Sequence, residues 1–199
     1  MQITSFENSF LNSISYLVEI DNELILIDPS ADKYFLELIE KSECKASYIF
    51  LTHEHIDHIL GVVKIKEKYN NITIVATEYT SKSIIDPKKN LSVFHGFEFV
   101  GIESDVIIND TYEIGIGALK VYLYPCKGHS YGGMFVNINN VVFTGDEFIF
   151  ELKTVTKLPG GNVSEVLKSF DFLKSKFDSK TILYPGHGKQ FYIEELRIW

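Results

Sequence analysis

The chain has 199 residues, 45% of them hydrophobic and 23% charged, with 27 acidic side chains against 19 basic ones and a formal charge of −8. That size and mixture fit one folded domain over residues 1–199 rather than a disordered segment. The acidic balance argues against a nucleic-acid partner, and no apolar run approaches the ~20 residues needed to cross a bilayer.

Ile14, Tyr16, Val18 and Ile20 alternate with Ser13, Ser15 and Glu19, the period of a half-buried strand. Residues 24–27 form a short apolar run, read as a buried strand that ends at Asp28-Pro29. Tyr34, Phe35, Leu38 and Ile39 recur at helical spacing over residues 32–41. Another apolar strand, residues 48–51, runs directly into His53-Glu54-His55-Ile56-Asp57-His58. Residues 59–69 then read as a helix and residues 72–76 as a strand. Leu119, Val121 and Leu123 alternate with Lys120, Tyr122 and Tyr124, and residues 135–138 and 141–144 are strands joined by an Asn139-Asn140 turn. Val163, Val166, Leu167, Phe170 and Phe177 make one helical stripe, with Asn162 and Glu165 spaced as a capping box. A last strand at 181–183 precedes Pro185-Gly186-His187-Gly188. This order predicts two sheets with helices outside them, and the polar clusters fall where strands end, on loops that a rigid sheet can hold.

Three of the six histidines lie in the run 53–58. Neutral imidazole and carboxylate are ligands for zinc, iron or manganese, and so many of them in an apolar corner are costly without a partner. After a strand, His53 and His55 face the same side, and Asp57 and His58 follow where the chain turns into a helix. Successive side chains diverge too much for one tetrahedral ion, so two ions, each taking part of the run, are the simpler solution. More ligands must then come from elsewhere. His129 and His187 each follow a strand and stand beside glycine, and Asp146 follows Gly145 at the end of the strand over 141–144. His95, with no carboxylate or second histidine nearby, is expected to be structural.

Taken in order, His53-x-His55-x-Asp57-His58, Gly128-His129-Ser130, Phe143-Thr144-Gly145-Asp146 and Tyr184-Pro185-Gly186-His187-Gly188 resemble the motifs of metallo-β-lactamase-fold hydrolases. Asp28 resembles the early aspartate of that family. The resemblance implies an αββα sandwich: two mixed β-sheets packed face to face, with helices on both outer faces. It also implies that His53, His55 and His129 hold one metal, that Asp57, His58 and His187 hold a second, and that Asp146 bridges them, with Asp28 orienting the histidine loop. His58, Asp146 and the Leu158-Pro159-Gly160-Gly161-Asn162 segment are most similar to short glyoxalase-II-like proteins (hydroxyacylglutathione hydrolases). Tyr131 stands where that family usually has proline, and the Gly-Arg element expected before Leu158 is not visible. The chain ends 12 residues after His187, so the helical region that binds glutathione in the longer relatives is not expected.

The implied activity is a metal-dependent hydrolase that uses a metal-bound hydroxide on a thioester, ester or lactone. Two divalent ions are expected, zinc first, with iron or manganese open because no thiolate is in the set. Asp57 would orient the nucleophile and relay its proton, and Tyr131 is a candidate hydrogen-bond donor to substrate or leaving group. A mononuclear iron persulfide dioxygenase-like oxidoreductase and a non-catalytic metal-binding module are the alternatives. The partner expected is a small-molecule substrate, with no membrane and no nucleic acid. The N-terminus has no basic segment or apolar stretch of a leader, and Cys44 and Cys126 make no CxxC pair, so a cytoplasmic protein with reduced thiols is expected.

Overall fold

The computed structural model describes residues 1–198. Strands β1 (Gln2–Glu7), β2 (Ile14–Ile20), β3 (Glu23–Ile27), β4 (Lys45–Phe50), β5 (Thr73–Thr77) and β6 (Val106–Ile108) form one six-stranded sheet in that order. β1 to β3 pair antiparallel, and β3 to β6 run parallel. The second six-stranded sheet holds β7 (Tyr112–Ile116), β8 (Leu119–Pro125), β9 (Met134–Ile138), β10 (Val141–Gly145), β11 (Ile182–Pro185) and β12 (Phe191–Tyr192). Its pairs are antiparallel except β10 with β11, which is parallel.

Side chains alternate across a strand, so each strand supplies two layers. Tyr16, Val18, Ile25, Ile27, Phe50 and Val75 from the first sheet meet Val121, Leu123, Val136, Ile138, Val141 and Phe143 from the second. The opposite faces are covered by helices α1 (Lys33–Lys41), α2 (Ile56–Ile59), α3 (Val62–Lys68), α4 (Glu78–Ser83) and α5 (Val163–Lys176). Phe35, Ile39, Ile59 and Ile65 pack on Leu24, Leu26, Ile49 and Ile74, while Val166 and Leu173 pack on Phe135, Val142 and Leu183. The result is the expected αββα sandwich. Among the described residues, no helix is long and apolar enough to cross a membrane.

Several local expectations need correction. The helix expected over 59–69 starts later, as α3, and a separate short helix, α2, precedes it across Leu60 and Gly61. Gly61 lies against the chain around Pro29, donating its N–H to the Pro29 carbonyl at 2.8 Å, and a Cβ there would run into the Ser30 backbone. β2 is not half-buried. Ser13 and Ser15 are fully buried and Leu17 is 5% exposed, because the helices cover the face that the serines were expected to leave to water. α5 turns Val166, Ser169 and Leu173 inward and leaves Val163 and Leu167 exposed. Its Asn162 cap forms, accepting from the N–H groups of Ser164 and Glu165, but the Glu165 carboxylate pairs with Lys168 instead of closing a box.

Two parallel pairings position the site. Because β3 and β4 run together, Asp28 and residues 53–58 leave the first sheet at one edge. Because β10 and β11 run together, Asp146 and His187 leave the second sheet side by side. A hydrogen bond from Met134 N–H to the Thr52 carbonyl, 2.8 Å, ties the two sheets at that edge.

Candidate metal centre

All seven side chains expected as ligands converge at this edge. Ligand atoms of His53, His55 and His129 lie within 4.8 Å of one another, and so do those of Asp57, His58 and His187. Asp146 reaches both groups. Its Oδ1 is 3.4 Å from His58 Nε2, and its Oδ2 is 3.5 Å from His187 Nε2 and 3.8 Å from His129 Nε2. A further group within that span contains Asp28, His53 and His58.

Three of the five imidazoles are aimed by a bond at the far nitrogen. His58 Nδ1 pairs with Asp28 Oδ2 at 3.0 Å, His129 Nδ1 with the Val155 carbonyl at 2.9 Å, and His53 Nδ1 with Thr52 Oγ1 at 3.1 Å. Such bonds fix ring orientation and tautomer and leave the other nitrogen facing the centre. Asp28 is held at φ 48° and also accepts from Thr52 N–H at 2.7 Å. Ser13 Oγ donates to the Asp57 carbonyl at 2.8 Å, and Ile14 N–H donates to the Gly186 carbonyl at 2.7 Å, so the start of β2 pins both the 53–58 and 187 loops. Gly186 must be glycine, because a Cβ would strike the Asp146 carboxylate and the His58 ring.

The donor set fits divalent metal. His53 Nε2, His55 Nε2, His58 Nε2 and Asp146 Oδ1 are buried without a hydrogen-bond partner. Each such atom costs about 1–3 kcal/mol, a penalty that a shared cation would remove. Burial drives His53 well below the ordinary imidazole range, and burial with His129 beside it pushes His55 down to about 3. Burial also lowers His129. In all three, burial favours the neutral imidazole, the form that ligates. Burial works against His58 as well, but Asp57, Asp146 and Asp28 outweigh it and raise its affinity for a proton. Those carboxylates concentrate negative charge where a second cation would sit.

Two carboxylates that sequence reasoning left without a role frame the His129 loop. Glu54 is 1% exposed and accepts from Ser130 Oγ at 2.7 and 2.6 Å. Glu147 is 3% exposed and accepts from His129 N–H at 2.7 Å. Glu54 carried a usable signal, since a residue between two same-facing side chains of an extended run points the other way. Glu147 carried none. Tyr131 lies apart from the cluster: it is 51% exposed, packs edge-on against Tyr79 at 5.6 Å, and lines a neighbouring hollow with Lys127. His95, expected to be structural, is exposed on the wall of the cleft above the cluster and packs edge-on against Phe10 at 5.3 Å.

Comparison with known proteins finds relatives that share the fold. The family model described as "Metallo-beta-lactamase superfamily" matches residues 9–187. The "Probable polyketide biosynthesis zinc-dependent hydrolase PksB" of Bacillus subtilis (strain 168) is 26% identical over 176 residues, 87% of this chain and 72% of that protein. The "Hydroxyacylglutathione hydrolase" of Buchnera aphidicola subsp. Schizaphis graminum is 28% identical over 194 residues, 94% of this chain and 66% of that protein. Among solved structures, the BLEG-1 B3 metallo-beta-lactamase superposes with a TM-score of 0.90 at 22% identity, covering 98% of this chain and 95% of its own. ETHE1 from Myxococcus xanthus gives 0.79 at 21%, with 98% and 81% covered. TTHA1623 in a di-iron-bound form gives 0.81 at 22%, with 96% and 95% covered. At these identities the structural likeness concerns the fold.

Proposed function

The chain belongs to the metallo-beta-lactamase superfamily, and from that premise we propose that it is a dinuclear metallo-hydrolase of thioesters, esters or lactones. The observation that carries the reading is the convergence of seven ligand-type side chains from four loops, with three Nε2 atoms and one carboxylate oxygen left without a hydrogen-bond partner. His53, His55 and His129 would hold one ion, Asp57, His58 and His187 the other, and Asp146 would lie between them. Zinc is the first candidate, with iron and manganese next, because the donors are nitrogen and oxygen without thiolate.

Bound divalent metal would supply a water whose pKa falls to about 7 and would polarise the substrate carbonyl. The protein's own part is orientation. The Asp57 carboxylate, 3.2 Å from His187 Nε2 and 3.3 Å from His58 Nε2, is placed to accept the proton of the attacking water. In a thioester the carbon–oxygen bond forms, the carbon–sulfur bond breaks, and the leaving thiolate takes up that proton. Tyr131, on the loop after His129, would meet the leaving group of a substrate long enough to reach its hollow. The substrate is a small molecule, and the unpaired Cys44 and Cys126 suit a reducing, cytoplasmic compartment.

Purification without added metal, elemental analysis, and hydrolysis of an ester and thioester panel before and after chelation test the reading. Two metals per chain and activity lost with the metal are expected. One iron per chain with oxygen consumption would replace the reading by an oxidoreductase, and a metal-loaded protein inactive on every ester and thioester would leave a binding module.

A further inference from the structure

The cleft above the histidine–aspartate cluster has walls of a distinct chemistry. Leu11, Ile56, Leu91, Val155 and Leu158 line it together with His95. Three of the aliphatic side chains stay in solvent although they come from separate segments: Leu11 is 47% exposed, Val155 50% and Leu158 37%. Among the described residues, no lysine or arginine lines this cleft. The backbone is strained to build the wall. Leu11 and Leu91 hold φ at 57° and 69°, a region that a bulky residue rarely occupies. They are the two leucines with positive φ among the described residues, and both line this cleft. Strain of this kind persists where surrounding structure enforces it, commonly at ligand clamps.

Away from the metal-holding floor these walls offer no lysine or arginine to pair an anionic group, and a cationic group would be repelled by the bound metals. An apolar group would cover the leucines and valine that water now wets. Resting on the hydrolase reading, we propose that the substrate presents an uncharged, apolar acyl group, and that Leu11, Leu91, Val155 and Leu158 select it.

The test uses the metal-loaded chain and thioesters of N-acetylcysteamine with straight acyl groups from acetyl to octanoyl, plus an adipoyl thioester carrying a free carboxylate. Specificity (kcat/KM) is expected to climb with length, by up to about four-fold for each methylene that becomes buried. The octanoyl-to-acetyl ratio should exceed ten, the adipoyl thioester should fall at least ten-fold below hexanoyl, and Leu158→Asp should lower the octanoyl-to-acetyl ratio at unchanged metal content. Hydrolysis that is flat with acyl length, or faster for adipoyl, would overturn the substrate class while leaving the hydrolase standing. No hydrolysis of any member, nor of the matching esters and lactones, would overturn both.

Discussion

Asp28 is buried, and its one carboxylate orients two parts of the site. Its Oδ1 accepts from Thr52 N–H, and its Oδ2 holds His58 Nδ1. Asparagine tolerates the positive φ at this position and keeps its size, so Asp28→Asn isolates the charge from the backbone. Metal affinity is expected to fall about 10–100-fold, read by competition with a chromogenic chelator. Glu54 acts on the neighbouring loop through Ser130. Glu54→Ala leaves the Ser130 hydroxyl buried without its acceptor and should cost about 1–3 kcal/mol in urea unfolding, whereas Glu54→Gln keeps an acceptor and should cost less. Equal losses in the two variants would mean that the hydrogen bond to Ser130 contributes little.

At the scale of elements, the break between α2 and α3 lets residues 53–58 lie across the sheet edge. Gly61 permits that break by letting the chain touch the backbone at Pro29 and Ser30, just after Asp28. Gly61→Ala is therefore expected to destabilise the fold by about 1–3 kcal/mol through overpacking and to weaken metal binding as well. A variant with wild-type stability and metal affinity would show that the contact is not needed. The convergence of the seven candidate side chains was legible in the sequence because its chemistry is local: imidazole and carboxylate recur where strands stop, and the parallel pairs β3–β4 and β10–β11 then gather those strand ends. Elements without such a pattern were not legible. β6 and β12 span three and two residues, too few to show a period, and β1 is an edge strand with a mixed burial pattern. The split at Gly61 depends on a contact with residues about thirty positions earlier, which no local period reports. The leucines that line the cleft carry no local signal for the same reason, because walls made by separate loops exist only after folding.

For the whole molecule, two sheets and two helical layers end in one edge where apolar packing gives way to paired acids and imidazoles. The sandwich supplies the stability that holds unsatisfied polar atoms together, and metal returns part of it. Saturating metal should raise the unfolding temperature by roughly 10–20 °C over chelated protein, as expected for two sites each filled at about a hundred-fold above its Kd on a chain of this size. An unfolding temperature indifferent to chelator would separate the cluster from the fold. The most direct measurement is metal content after loading with zinc and desalting, for the wild type and for His187→Ala. Two equivalents per chain falling to one in the variant are expected; a wild type that retains no metal, or a single ion unaffected by the substitution, would contradict the paired site.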